Sequence, residues 1–501
     1  MSYEIRRREF LKATTLGFGA VLPFGGMAPP NALLDHSFTR AFRPVRVRGR
    51  VAESGSGVPG VGVTDGIDFV ETASDGSFEI VTTDRRPFVS ISVPSGYKIP
   101  LNEHGTARHY APITANGSGE AEAVFQLDRL DQSDERHSFL VLADPQTHDA
   151  QEMGQFHSET VPDVRETVRS LDAAEVFGIA CGDIMYDDLS LYPEYERAVR
   201  EMGVPFFQVV GNHDLDLTAQ SDLASTRTFS SHFGPRYYSF NRGQVHFVVL
   251  DDVMYNGTNY IGYVDDDQLT WLANDLSRVE PGSTVVMALH IPVLGGRYVR
   301  DGLSAPSARV AVNNRQILYR LLEPFNAHVI AGHTHETEHT FNHGVHEYVC
   351  GAVCGAWWTG PICGDGTPNG YSVFDVSGEE VKWRYKSTGR SADYQINVHR
   401  RDADPEMAGH VVANVWDWDP EWSVVFYQDG ERKGEMLQQM GYDPQSVELH
   451  LGPELPQKRS WVDPYPTNHL FYAPVEEGSS PITVEATDRF GRVYSAEERG
   501  G

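Results

Sequence analysis

The chain has 501 residues, with 41 Lys plus Arg against 70 Asp plus Glu and a formal net charge of −29 at pH 7. That length accommodates about two to four domains with sizeable cores, and the acidity argues against indiscriminate binding to nucleic acid or anionic membranes. No lysine lies between Lys98 and Lys382, so lysine does no chemistry in the middle of the chain.

Arg7-Arg8-Glu9-Phe10-Leu11-Lys12 precedes a modestly apolar stretch, Ala13 to Pro23. The stretch is too short to span a bilayer and too Gly-rich for a stable core helix. Twin arginines followed by Phe-Leu-Lys resemble a twin-arginine export signal, an address read by a receptor. The resemblance assigns residues 1–35 to a signal peptide and implies a periplasmic or extracellular location, with no transmembrane helix.

Residues 44–128 change character. Val45-Arg46-Val47-Arg48-Gly49-Arg50-Val51 alternates like a strand, and Ala73-Ser74-Asp75-Gly76-Ser77-Phe78-Glu79-Ile80 carries a hairpin signature with Asp75-Gly76 at the turn. The pattern predicts a small antiparallel β-sandwich. A charged linker, Leu127 to His137, closes it.

From 137 to 390, apolar strand-like runs alternate with helical patterns. Helices are expected from Val161 to Ala173, from Tyr192 to Met202, over Asp267 to Leu276 and over Asn313 to Leu322. Such alternation indicates an α/β class, with two mixed sheets face to face and helices outside. Five of the runs end in short polar motifs: Asp144-Pro145-Gln146, Gly182-Asp183, Gly211-Asn212-His213-Asp214, His290 and Gly332-His333-Thr334-His335. Loops after strand ends converge on one edge of such a sheet. They would bring carboxylates, amides and imidazoles together without a thiolate, a donor set that suits Mn, Fe or Zn in a two-ion site.

These five blocks resemble the calcineurin-like metallophosphoesterases, as do Phe233-Gly234-Pro235-Arg236-Tyr237-Tyr238-Ser239-Phe240 and the Gln268 to Leu272 stretch. The resemblance implies a four-layer α/β/β/α sandwich flanked by two small all-β domains. It implies two divalent ions, with Asp183 bridging, Asp144 and His335 on the first, and Asn212, His290 and His333 on the second. It also implies hydrolysis of phosphate esters by a metal-bridging hydroxide, with His213 as acid and Asp214 orienting it. The usual Asp-x-His of the first motif is here Asp144-Pro145-Gln146. A Gln carbonyl can ligate a hard ion, so Gln146 is taken as a weaker ligand that favours manganese. His148, two residues on, is a candidate for the first ion or the substrate. The expected partner is a small phosphate-ester substrate, a monoester or alternatively a diester or nucleotide. A non-catalytic cell-envelope binding protein on the same scaffold is the reading from a different class.

Beyond the last motif, Trp357 and Trp358 sit in a Gly-rich loop and are expected to wall the substrate pocket, against a role in interdomain packing. Residues 391–499 read as short strands and polar turns. They and residues 44–128 resemble the C-terminal β-sandwich and the N-terminal transthyretin-like module of bacterial members of the family. The sequence expects Cys181 to be a buried thiol. Cys350, Cys354 and Cys363 are close enough for one disulfide, Cys354 to Cys363 being the favoured pair; a Cys-based zinc site would need a further ligand such as His346.

Overall fold

The computed structural model describes residues 42–173, 175–476, 478 and 480–498. The export signal expected over residues 1–35 lies outside them. The described residues from Pro44 onward form one compact unit.

Eleven strands build the centre: β1 (Arg136–Leu142), β2 (Glu175–Cys181), β3 (Phe206–Val209), β4 (Tyr238–Arg242), β5 (Val245–Val249), β6 (Thr284–Ala288), β7 (Asn326–Ala331), β8 (Glu338–Asn342), β9 (Val345–Val349), β10 (Gly370–Ser377) and β11 (Glu380–Ser387). They form two sheets, of order β3-β2-β1-β10-β11 and β4-β5-β6-β7-β9-β8. Within the first sheet β1, β2 and β3 are parallel; within the second, β5, β6, β7 and β9 are parallel.

Side-chain alternation explains why the strands read as continuous apolar runs. In β1, Phe139 and Val141 join Phe247, Val286 and Ile330 of the other sheet in one core. Leu140 and Leu142 point the opposite way, onto Val161, Val164, Tyr192 and Tyr195 of the outer helices. The second sheet does the same, with Val248, Leu250, Val285 and Met287 against Trp271, Leu272, Leu318 and Leu322. Strands buried on both faces need apolar residues at every position. Stacked rings fill the layer between the sheets, Phe207 on Phe240 at 3.9 Å and Phe139 on Phe374 at 4.5 Å. The result is a helix–sheet–sheet–helix sandwich.

The first outer helix differs from expectation. Helix begins at Ala150, where Asp149 caps the N–H groups of Gln151 and Glu152, and continues through a widened turn over Phe156–Thr160 into Val161–Ser170. Pro162 reads as a helix start, but the wide turn lets it sit inside a longer one, because its missing N–H and bulky ring are tolerated where the ladder is already offset.

The N-terminal module comprises two four-stranded sheets. It is not purely antiparallel: Pro44–Glu53 pairs antiparallel with Ser77–Thr83 but parallel with Glu120–Gln126. Its core runs on into the layer between the central sheets. Asn241 N–H donates to the Val93 carbonyl and Ala107 N–H to the Phe206 carbonyl, so the module covers the β3 and β4 edges, which exposed would template pairing with another chain.

The C-terminal module is a second sandwich of two four-stranded sheets around its own core of Val398, Val411, Phe426, Phe471 and Val484. An excursion containing helix Pro444–Leu451 leaves it and docks on the centre, where Ser446 Oγ and Tyr465 N–H both donate to the Gly364 carbonyl. All four cysteines are free and buried. The Cys354–Cys363 bridge that the spacing permits is therefore not formed; Cys354 Sγ lies 3.6 Å from His335 Nδ1. His346 sits between His328 and His339, at 3.0 Å from each. Among the described residues no helix is long and apolar enough to cross a membrane.

Candidate metal centre

Each polar motif occupies the turn directly after its strand, and the backbone there is unusual. Asp144, Gln146, Asp183, His333 and His335 all have positive φ, between 43° and 72°. Left-handed backbone at residues with a Cβ costs of order 1–3 kcal/mol each and persists where the surroundings over-determine it. Glycine makes room between the turns. A Cβ on Gly211 would fall 1.9 Å from the Asp183 backbone nitrogen, and one on Gly332 would fall 2.5 Å from Asp144 Oδ2.

The turns bring the predicted residues together. Donor atoms of Asp183, His290 and His333 all lie within 4.8 Å of one another. His290 Nε2 is 3.3 Å from Asp183 Oδ1, 3.3 Å from Asn212 Oδ1 and 3.2 Å from His333 Nδ1. His335 Nε2 faces Asp144 Oδ1 at 3.5 Å, too long for a well-formed hydrogen bond.

The outward-facing nitrogen of each imidazole carries the clearest signal. His290 Nδ1 is 3.0 Å from the Cys181 carbonyl, His335 Nδ1 is 2.6 Å from the Gly355 carbonyl, and His333 Nε2 is 2.9 Å from the Arg309 carbonyl. A carbonyl only accepts, so each of these nitrogens carries a proton, and the opposite nitrogen faces inward: that of His290 to Asp183, that of His335 to Asp144 and that of His333 to His290 Nε2. Metal-ligating histidines are oriented in this way. Asp252 supports the same turn, accepting from the His290 and Ile291 N–H groups.

The electrostatics are those of crowded, desolvated donors. Burial alone would lower His290, but the Asp183 and Asp144 carboxylates outweigh it and lift the imidazole to about 10. Burial and the neighbouring His290 cation push His333 down to about 3. Burial works to raise Asp183, yet His290 and His213 hold it below the ordinary carboxylate range. A divalent ion would relieve this crowding by supplying positive charge to the carboxylates while the imidazoles stay neutral. The residues present fit such a group.

Four expected placements differ. Asp214 does not touch the His213 ring. It is fully buried and accepts from the backbone N–H groups of Ile184, Met185 and Gly211 and from Tyr192 O–H, which makes it the clamp that holds two site turns together. The partner of His213 Nδ1 is Asp187, whose Oδ1 lies 2.7 Å away, and Tyr186 stacks on the imidazole at 4.3 Å. Asp187 was missed because a sequence offers no way to tell which neighbouring acid reaches the ring; its place four residues after Asp183 is the only hint.

Gln146 directs its amide Nε2–H to Asp183 Oδ2 at 2.9 Å, so it acts here as a donor to the central carboxylate. His148 does not join the cluster. Its Nδ1 is 3.0 Å from the Tyr186 carbonyl and its ring is exposed at the rim. The two tryptophans part company. Trp358 packs against buried residues and donates Nε1–H to the Pro145 carbonyl, bracing the first motif. Trp357 stacks on His335 at 4.2 Å.

Comparison with known proteins adds a second line. Residues 137–337 match the family described as calcineurin-like phosphoesterase. Residues 45–130 match the N terminal of calcineurin-like phosphoesterase, and residues 347–494 match the C terminal; the last match begins inside β9. Purple acid phosphatase 13 of Arabidopsis thaliana is 29% identical over 171 residues, covering 30% of this chain and 29% of that protein. Purple acid phosphatase 15 of the same plant is 30% identical over 141 residues, covering 26% and 25%. The chain thus spans less than a third of the length of these relatives. A dimetal phosphatase from Danio rerio shares 16% identity at a TM-score of 0.35, covering 50% of this chain and 96% of that one. With three consecutive matches running from residue 45 to residue 494, the chain belongs to the calcineurin-like phosphoesterase family.

Proposed function

We propose that this protein is a metal-dependent hydrolase of phosphate esters, exported in its folded state. The observation that carries the reading is the set of three imidazoles, each pinned at one nitrogen by a backbone carbonyl and turning the other into the cluster formed with Asp144 and Asp183. Asp144, Asp183, Asn212, His290, His333 and His335 would hold two divalent ions, with Gln146 beside them. Ions held there supply positive charge to phosphoryl oxygens and a nucleophile at neutral pH.

The remaining work falls to the chain itself. With His213 Nδ1 engaged by Asp187, Nε2 is the atom left to exchange a proton with a leaving oxygen. Burial acts to lower His213, but Asp183 and the Asp187 hydrogen bond outweigh it, so the imidazole is raised and holds a proton suited to general acid catalysis. Asp187 orients the ring. Export is supported by the Arg7-Arg8 motif, because a route for folded proteins lets metals be acquired before translocation.

The test is hydrolysis of a panel of phosphomonoesters and diesters by purified protein supplied in turn with Mn, Fe and Zn. Turnover that vanishes on chelation and returns with metal is the expected result. No turnover of any ester with any of these metals would refute the reading.

A further inference from the structure

The rim of the centre carries a wall that comes from the C-terminal module. Arg459 reaches across to the catalytic domain, where its Nη1 and Nη2 bond Glu152 Oε1 and Oε2 at 2.7 and 3.1 Å. The same guanidinium donates to the Trp357 carbonyl and lies 5.1 Å from the centre of the Tyr186 ring. Lys458 bonds Asp149 at 2.8 Å and approaches Glu152 at 3.4 Å. Glu152 is only 1% exposed, and a buried carboxylate strongly resists losing its cations. The segment is therefore fixed in place.

Two residues beyond Arg459, Trp461 stands over Trp357 with ring centroids 4.9 Å apart, and it is 56% exposed. Trp357 in turn stacks on His335 of the metal centre. Arg459 also links this aromatic pair to Tyr186, the ring stacked on His213, so the pair and the proposed proton donor's stacking partner flank one guanidinium. Trp357, Trp358 and Arg459 all have positive φ, at 55°, 57° and 52°. Bulky residues rarely adopt such backbone, and strain of this kind is retained at ligand clamps.

The charges on this wall are already spent: Arg459 and Lys458 both face Glu152. What it presents outward is the exposed indole of Trp461, which offers an apolar, π-bearing face. We propose that Trp357 and Trp461 form a subsite for an aromatic ring carried by the leaving group of the ester. This rests on the phosphoesterase reading above and names its substrate class, esters of aryl or other ring-bearing alcohols. The C-terminal module would thereby set specificity at a site whose metal ligands all lie in the central domain.

The experiment uses full-length protein loaded with manganese and two variants, Trp461→Ala and Trp461→Phe. Calorimetry reads the affinities of naphthyl phosphonate and methylphosphonate, and kinetics read kcat/KM for naphthyl phosphate and ethyl phosphate. The naphthyl-to-methyl affinity ratio and the naphthyl-to-ethyl kcat/KM ratio should each fall roughly tenfold in Trp461→Ala and recover in Trp461→Phe, the size expected for one lost aromatic pair. If the variants turn over both esters with the wild-type ratios, the subsite is wrong while the phosphoesterase reading stands. If no ester is hydrolysed yet naphthyl phosphonate binds preferentially through Trp461, the subsite stands and the phosphoesterase reading fails. No turnover of either ester together with binding of neither phosphonate overturns both.

Discussion

Asp187 Oδ1 lies 2.7 Å from His213 Nδ1, while Asp214, the adjacent acid, is turned away into four hydrogen bonds of its own. The two carboxylates therefore divide the labour, one orienting the ring and the other fixing the turns.

Asp187→Asn should mimic a weakened His213→Ala. An alkyl phosphate, whose leaving oxygen needs a proton, should lose far more than a nitrophenyl phosphate, within the roughly 10²–10⁴ range of general acid catalysis for His213→Ala and about tenfold for Asp187→Asn. Kinetics on both esters decide it. Equal losses would show that neither residue serves the leaving group.

Asp214→Ala should act on stability first. It strands the N–H groups of Ile184, Met185 and Gly211 and the Tyr192 hydroxyl in a dry interior, at about 1–3 kcal/mol for each group that finds no substitute. Denaturant unfolding should show a loss of several kcal/mol by that measure. A midpoint matching wild type would mean the turns do not depend on this clamp.

Much of this was legible from residue patterns. The double-faced apolar runs of β1, β2 and β6 announce buried strands, and strand-end placement is enough to gather Asp144, Asp183, Asn212, His290, His333 and His335. The Asp187 pairing, the inward turn of Trp358 and the arrival of Arg459 from 300 residues beyond the first helix depend on side-chain direction and domain docking, which local pattern does not encode. The helix start at Asp149 was hidden because Pro162 imitates a boundary. Cys354 and Cys363 share one small buried cluster with Ala352 yet stay unbonded, Cys354 Sγ lying against His335 Nδ1.

Acid should unfold the protein through buried neutral histidines away from the metal centre. His109 is enclosed by Tyr238, Tyr110 and Phe207, and burial lowers it to about 3. Its unfolded value is higher, so the unfolded chain binds the proton first. The stability it contributes is full above about pH 6.5 and drains away as pH falls toward 3, at roughly 1.4 kcal/mol per unit. His109→Phe should flatten this acid limb in melting curves taken from pH 7 to pH 4. An unchanged slope would place the acid sensitivity elsewhere, for instance at His137 or His328, both lowered to about 4 by burial.

Gln146→His should shift metal preference from manganese toward zinc or iron, because imidazole is the softer donor. It also removes the amide that donates to Asp183. Competition between Mn and Zn for the metal-free protein measures the shift; identical preference in both proteins would show that position 146 stands outside the coordination sphere.

The central claim is a two-ion centre anchored on Asp183, and elemental analysis of wild-type protein and Asp183→Asn tests it most directly. Wild type should carry about two first-row divalent ions per chain, and the variant should lose most of both together with its activity, since one shared carboxylate serves the pair. Full activity in a preparation without such metals, or an Asp183→Asn variant that keeps both ions, would contradict the account.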